Sequence, residues 1–320
     1  MTGLSIGVIG AGAWGTALAL HAARGGAHVR LWSRDPLRPD ADGANPRLPG
    51  FALPPSVVPT TTLPDRTDLL LVTTPVQHLR ATLGGIAGSA PLVLCCKGVE
   101  RATGALPMQV AAEVLPGRPC AVLSGPNFAH EVAAGLPAAA SLAATDGGLA
   151  EAIAGRVSGP ALRLYPSTDP LGVQIGGAAK NVIAIAAGVT IGARLGENAR
   201  AALITRAIVE MGRLADAMGG RPDTLAGLSG LGDLILTCTG PSSRNFSLGL
   251  ALGEGVPLAD ILARRSSVTE GVETAPALLA LARRHQIEVP IIAMVTRLLA
   301  GELTPQQARD ALMSRPTRGE

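Results

Sequence analysis

Six residues near the start, Gly10-Ala11-Gly12-Ala13-Trp14-Gly15, constrain this chain more than any others, because of what flanks them. Residues 4–9 are a short, β-prone apolar run, and Thr16-Ala17-Leu18-Ala19-Leu20 is helix-forming, so the order is strand, glycine turn, helix. Gly10 permits the tight turn, Gly12 lets a pyrophosphate approach the backbone, and Gly15 allows close packing of the helix. The first N–H groups of that helix have no intrahelical partner and can face an anion. A G-x-G-x-x-G alone is a weak signal, with a glycine-rich structural turn as the alternative. Here residues 28–32, His-Val-Arg-Leu-Trp, supply a second strand at the distance a dinucleotide-binding βαβ unit requires.

At the end of that second strand an NAD-binding unit usually carries Asp or Glu for the ribose 2′-OH. This chain has Ser33-Arg34, in which Arg34 can pair with a 2′-phosphate, followed by Asp35. The pattern favours NADP and leaves NAD open; a solvated loop arginine is the plainer reading of Arg34. Residues 40–64 are Pro-rich and expected to be a loop over the domain edge. Residues 68–75 and 91–96 are continuous apolar strands that suit a parallel sheet buried on both faces, and residues 120–123 are another. Residues 138–144 and 161–165 can complete the sheet. Lys97-Gly98 and the turn Ser124-Gly125-Pro126-Asn127-Phe128 stand at strand carboxyl ends, where an open α/β sheet binds its ligands.

After Pro170 the pattern turns helical. Ile204, Ile208, Met211, Ala215 and Met218 form one amphipathic stripe that stops at Gly219-Gly220. The expected architecture is an α/β N-terminal domain, residues 1–170, with a Rossmann-type, doubly wound, mainly parallel sheet. An all-α C-terminal domain, residues 171–320, is expected to follow it.

Of 27 basic residues only Lys97 and Lys180 are lysines. An ammonium can lose its proton when desolvated or set beside other cations, whereas a guanidinium stays charged. These two positions either need an acid or base, or are chance survivors of an arginine-biased composition. Lys180 opens a segment in which Val182, Ile185, Ala186 and Val189 fall at helical spacing, with Ile183 and Ala187 on the other side. The expectation is a buried helix with one lysine at its start. Further on, Asp233 lies inside an apolar run, and Ser242-Ser243-Arg244-Asn245 offers phosphate chemistry at a possible helix start. A buried, hydrogen-bonded Asp and an ordinary capped helix are the alternatives.

Other classes are disfavoured. Aromatics are 2% and the net charge of +3 is spread without a basic run, so no nucleic-acid partner is expected. The four cysteines have no CxxC spacing and the five histidines no ligand spacing, so reduced thiols and no metal are expected. Cys95 and Cys96 should point to opposite faces of a strand. No basic leader precedes the first apolar run and no uninterrupted apolar stretch is long enough to span a bilayer, so a cytoplasmic protein without membrane insertion is expected.

Taken together, the chain resembles the bacterial NAD(P)-dependent glycerol-3-phosphate dehydrogenases over nearly its whole length. The motifs that carry the likeness begin with Gly10-Ala11-Gly12-Ala13-Trp14-Gly15-Thr16-Ala17-Leu18-Ala19, Lys97-Gly98-Val99-Glu100 and Ser124-Gly125-Pro126-Asn127-Phe128-Ala129. They continue with Lys180-Asn181-Val182-Ile183-Ala184, residues 230–239, Ser243-Arg244-Asn245 and Glu270-Gly271, all in the family's order and spacing. The resemblance implies reduction of dihydroxyacetone phosphate by NAD(P)H to sn-glycerol 3-phosphate, the backbone donor for glycerophospholipid synthesis. It implies Lys180 as general acid/base, held by Asp233. Substrate contacts are implied for Lys97, Gly125, Asn127, Lys180, Asp233, Ser243, Arg244 and Asn245. Cofactor contacts are implied for Trp14, Arg34, Lys97, Ala129, Arg244, Val268 and Glu270, beside the three glycines Gly10, Gly12 and Gly15.

The expected assembly is a homodimer. Departures from the family pattern are Cys95-Cys96 where small polar residues are commoner, a shortened 45–50 segment without the usual tyrosine, and Ala179 in place of a bulkier residue. Two other readings compete: a β-hydroxyacid dehydrogenase of the same plan, separable by whether the substrate needs phosphate, and a non-catalytic dinucleotide sensor. Both lysines and the Ser-Arg-Asn triplet argue against the sensor.

Overall fold

The computed structural model describes residues 3–265 and 269–314. The chain divides into two units: one runs to Lys97 and resumes over Ala105–Gln174, while the other holds Gly98–Gly104 and the described residues from Ile175 onward.

The first unit is built on one eight-stranded sheet: β1 Ser5–Ile9, β2 His28–Trp32, β3 Val57–Thr60, β4 Leu69–Val72, β5 Leu92–Leu94, β6 Cys120–Ser124, β7 Ala138–Ala143 and β8 Leu162–Ser167. Their order is β3-β2-β1-β4-β5-β6-β7-β8. Strands β1 to β6 are parallel; β7 pairs antiparallel with β6, and β8 runs parallel to β7. Continuous apolar strands are explained by two cores. Leu69, Leu71, Val93, Ala121 and Leu123 enter one cluster, while Leu70, Val72, Leu92, Leu94 and Val122 enter the other. Successive side chains of one strand alternate between faces, and each face is covered by helices. Cys95 joins the first cluster and Cys96 packs against the second, the split expected of adjacent residues in extended backbone.

Strand β3 corrects the expectation of a loop over residues 40–64. Pro59 hides the strand signal, yet Val57 to Thr60 pair along β2 at the sheet edge, where a residue without an N–H is tolerated.

Helix Ala13–Arg24 is anchored to its neighbours by polar contacts at its end. Arg24 donates to the carbonyls of Ala133 (2.6 Å) and Val132 (2.5 Å), which close helix Ala129–Ala134 and suit a cation. His21 is buried, and its Nε2 lies 2.7 Å from the Val157 carbonyl. A carbonyl only accepts, so that nitrogen carries the hydrogen.

The named secondary-structure elements of the second unit are all helices, joined by turns and by the Gly98–Gly104 segment. Its centre is helix Pro170–Gly192, which starts in the first unit. The helix begins ten residues before Lys180, so the lysine sits mid-helix and not at a helix start as expected. Asp169 accepts from the Gly172 N–H at 2.9 Å, and Pro170 fills the first helical position, where its missing N–H costs nothing. By length and composition this helix could cross a membrane, but 89% of its apolar window is buried inside the protein, as in a core helix.

Much of that burial is backbone against backbone. A Cβ on Gly188 or Gly192 would overlap the carbonyls of Phe246 or Leu250, and one on Gly249 or Gly253 would overlap those of Ile185 or Val189. Helix Arg244–Gly253 therefore lies directly on the long helix through glycines spaced four apart on both. The Gly98–Gly104 segment is fastened to helix Glu270–Arg284 by the Arg101–Glu273 ion pair (3.0 Å) and by Arg284 donating to the Thr103 carbonyl (2.7 Å).

Burial lowers the pKa of His21 below the ordinary histidine value of 6.5, with the charge of Arg24 acting in the same direction and the bond to Val157 opposing it. With the folded pKa below the unfolded one, the unfolded chain binds the extra proton as pH falls below about 6.5, so stability is full above that pH and declines beneath it. Urea unfolding from pH 8 to pH 5 should show this decline, and His21→Gln, which keeps a donor but does not titrate, should flatten it. An identical pH dependence in both proteins would remove His21 from the account.

Candidate active site

The glycine turn is held by residues outside it. Gly10 has φ +114°, and a Cβ there would meet Thr73 Oγ1 at 2.8 Å; one on Gly15 would overlap the Gly10 carbonyl. Thr73, just beyond β4, donates to the Gly10 carbonyl at 2.8 Å. The Asn45 side chain, fully buried, donates to the Ala11 carbonyl (3.0 Å) and to Thr16 Oγ1 (2.6 Å). The 45–50 segment thus braces the turn through Asn45. Gly12 has open space where a Cβ would be, and no side chain caps the helix it begins. The free N–H groups and the gap fit a pyrophosphate.

Beside this turn stand the carboxyl ends of β4, β5 and β6, adjacent in the sheet. Three polar atoms here, Thr74 Oγ1, Ser124 Oγ and Asn127 Oδ1, are buried without a hydrogen-bond partner, which is costly unless a ligand supplies one. Asn127 Nδ2 donates to the Ala139 carbonyl (3.2 Å) and Lys97 Nζ to the Gly125 carbonyl (3.3 Å). Gly125 is buried, and a Cβ there would press on Ala140 at 2.8 Å, so β7 passes close behind it. Trp14 is half-buried against the core and Ala129 starts its short helix. Arg34, just after β2, is solvent-facing: its side chain is 86% exposed and 3.5 Å from Asp35. These residues fit a dinucleotide.

In the second unit Lys180 Nζ forms an ion pair with Asp233 Oδ1, the lysine side chain 7% exposed and the aspartate fully buried. Asp233 owes its place to a π-helical turn, Leu228–Gly232, closed by the Gly232 N–H on the Gly227 carbonyl (3.1 Å). Gly176 lets that turn sit on the long helix, since a Cβ there would overlap the Ser229 carbonyl, and Gly230 lets it fold against the preceding 3-10 turn Pro222–Ala226, where a Cβ would overlap backbone of Leu225. Such wide turns cluster at functional sites. Nearby Cys238 is buried, which pushes its thiol up to about 12, so it stays protonated and is no nucleophile. Cys95 is likewise raised by burial, despite the charge of Lys97.

A line of amides ties this pair to two other expected site positions. Asn245 Nδ2 donates to Asn181 Oδ1 (3.0 Å), Asn181 Nδ2 donates to Glu270 Oε2 (3.3 Å), and the Gly271 N–H donates to Asn245 Oδ1 (3.0 Å). Gly271 has no room for a side chain, since a Cβ would meet Asn245 Oδ1 at 2.6 Å and the Asn181 carbonyl at 2.8 Å. The Glu270-Gly271 pair is thereby explained: the glycine brings its N–H to Asn245 and the glutamate faces Asn181. Ser243 is buried and caps helix Arg244–Gly253 by accepting from the Phe246 N–H (3.3 Å), while Arg244 is exposed at the helix start. Val268 lies outside the described residues.

Sequence reasoning missed Thr73, Asn45 and Asn181. Asn181 carried a usable signal, an amide inside an otherwise apolar helix, which has to find partners when buried. Among the described residues no group of three or more His, Cys, Asp or Glu side chains could hold a metal.

Known proteins resemble the chain along its length. Residues 5–150 match the family described as the NAD-dependent glycerol-3-phosphate dehydrogenase N-terminus, and residues 169–310 match the corresponding C-terminus. A glycerol-3-phosphate dehydrogenase [NAD(P)+] of Gluconobacter oxydans is 58% identical over 98% of both chains. One of Caulobacter vibrioides is 51% identical over 100% of both. The crystal structure of glycerol-3-phosphate dehydrogenase from Coxiella burnetii, 40% identical, superposes with a TM-score of 0.91 over 98% of this chain and 100% of that one.

Asn245→Ala would strand the Gly271 N–H and Asn181 Oδ1, at a cost of about 1–3 kcal/mol for each buried group left unpaired. Chemical denaturation should register that loss, and titration by NADPH fluorescence should show weaker cofactor binding as Gly271, next to Glu270, loses the bond from its N–H to Asn245. Unchanged cofactor affinity in a destabilised variant would confine the amide line to a structural role.

Proposed function

Since the chain belongs to the NAD-dependent glycerol-3-phosphate dehydrogenase family, we propose how its own residues carry out the reaction of that family. It is an NAD(P)-dependent oxidoreductase that interconverts dihydroxyacetone phosphate and sn-glycerol 3-phosphate, the latter feeding glycerophospholipid synthesis. When bound, the cofactor supplies or accepts a hydride at the ketone carbon. The observation that carries the residue assignment is the buried Lys180–Asp233 ion pair, joined by Asn181 to the residues around Arg244 and Glu270.

Lys180 faces the substrate oxygen. Hydride addition leaves negative charge on that oxygen, which an ammonium stabilises and to which it gives a proton; in the reverse direction the neutral amine takes the proton back. Asp233 orients Lys180 and keeps a charge of opposite sign beside it, so the lysine can lie in a buried site at all. Ser243, Arg244 and Asn245 bind the substrate phosphate at the helix start, with Arg244 as a planar donor fork. The Asn245 carboxamide is already engaged by Asn181 and Gly271, so it contributes its remaining amide hydrogen and the position of the helix. Lys97, Gly125 and Asn127 act on the substrate from the strand carboxyl ends, with Lys97 also serving the cofactor. Gly10, Gly12, Trp14, Gly15, Arg34, Ala129, Arg244, Val268 and Glu270 hold the cofactor, NADP or NAD. A cytoplasmic homodimer without membrane insertion belongs to the same proposal, supported by the burial of the long apolar helix within the protein; light scattering reads the assembly.

Following nicotinamide absorbance with dihydroxyacetone phosphate and NADPH or NADH tests the reaction and the preference together; turnover of unphosphorylated dihydroxyacetone at a comparable rate would overturn the phosphate assignment. Lys180→Arg keeps the charge but cannot release a proton near neutral pH, so kcat should fall by on the order of a hundredfold or more while NADPH still binds. Substantial turnover by that variant would make Lys180 an electrostatic anchor only. For Arg34, whose side chain is 86% exposed, screening limits the expected effect. Arg34→Ala should weaken NADPH about fivefold or less and NADH hardly at all. Equal losses for both cofactors would refute a 2′-phosphate contact.

A further inference from the structure

Arg265 is unused by the reaction as described, yet it lies against the start of helix Arg244–Gly253. Its Nη1 donates to the Arg244 carbonyl at 2.7 Å and its Nη2 to Ser247 Oγ at 2.9 Å. Ser247 Oγ in turn donates to the same Arg244 carbonyl at 3.1 Å. The guanidinium, Ser247 and the first helical carbonyl thus close a small ring around the first turn.

Placing Arg265 here is electrostatically unfavourable for the protein alone. A helix start carries partial positive charge, and Arg244 already adds a full one. Burial, and after it the charge of Arg244, lower the pKa of Arg265 from its usual value. Two guanidiniums at a positive helix end are balanced by an anion, and best by one with two charges. A phosphate monoester carries between about −1.5 and −2 at neutral pH.

We propose that Arg265 is a positioning residue of the phosphate site: it clamps the turn from which Arg244 acts and adds the second positive charge that suits a doubly charged phosphate ester. The inference rests on the assignment of the substrate phosphate to this helix start. Arg265 works through Arg244 and through charge, so its loss should weaken affinity for phosphate while leaving proton transfer at Lys180 in place.

The test uses the full-length enzyme with saturating NADPH, and measures kcat, KM for dihydroxyacetone phosphate and the inhibition constant of inorganic phosphate as competitor. Arg265→Gln retains hydrogen-bond donors without charge. It should raise KM and the phosphate inhibition constant together, by about tenfold, with kcat changed far less. Arg265→Lys, which returns the charge but not both bonds, should recover part of each constant. A thermal transition confirms folding, and if Arg265→Gln lacks one, Arg265→Lys decides by the same constants. Parental KM and inhibition constant in Arg265→Gln, with both raised in Arg244→Lys, would overturn the role of Arg265 and leave the phosphate assignment standing. A loss in kcat alone would also overturn it. If neither Arg244→Lys nor Arg265→Gln moves either constant, the phosphate assignment itself falls.

Discussion

The ion pair of Lys180 and Asp233 is the interaction on which the second unit depends. Both groups are almost entirely out of water, and each alone would be an expensive buried charge. Holding them together requires two backbones to be placed closely, and the local structure does this by unusual means on both sides. The lysine sits in the middle of a long helix buried along most of its length, where no fraying end can swing it away. The aspartate follows a π-helical turn seated on Gly176, at a point where any side chain would push the two segments apart. Stability by itself is a weak reason for such a pair, because apolar residues of similar size are often as good or better. The proton transfer proposed for Lys180, which needs the lysine held next to a carbonyl oxygen, is a stronger one.

The residues around the pair extend the same logic. Gly188, Gly192, Gly249 and Gly253 bring helix Arg244–Gly253 against the long helix, so Asn245 reaches Asn181, the neighbour of Lys180. From Asn181 the line continues to Glu270, and from Asn245 to the Gly271 N–H. The helix start proposed for phosphate, the proposed proton donor and the carboxylate of Glu270 are thereby all referred to one helix. In the first unit the glycine turn is likewise fixed by its neighbours, with Thr73 on one side and Asn45 on the other. In both units a small residue gives the space, and a polar side chain from elsewhere in sequence fixes what occupies it.

Much of this was legible in the residues alone, for physical reasons. Strands buried on both faces, such as Leu69–Val72, leave an unbroken apolar run, and the glycine turn is explicit. The scarcity of lysine pointed to Lys97 and Lys180 before any geometry. What stayed hidden depended on tertiary context. Val57–Thr60 was obscured by Pro59, since edge pairing tolerates a proline that a central strand would reject. The start of the long helix was obscured by its glycines, although Asp169-Pro170 is a good cap and first position. The bonds of the Asn245 carboxamide to Asn181 and Gly271 likewise leave no mark in the sequence. The reciprocal glycine contacts between helices far apart in the chain leave no periodic trace at all.

The central claim, that the fold is arranged to hold a mutually dependent buried charge pair for proton transfer, is tested most directly by a double-mutant cycle on unfolding free energy. The variants are Lys180→Met, Asp233→Leu and the two combined, each also assayed for turnover. Each single change should cost about 3–5 kcal/mol by removing the opposite charge from beside a buried one, and the double change should cost much less than their sum, while all three lose activity. Single losses that simply add, or a Lys180→Met variant that still turns over substrate, would contradict the account.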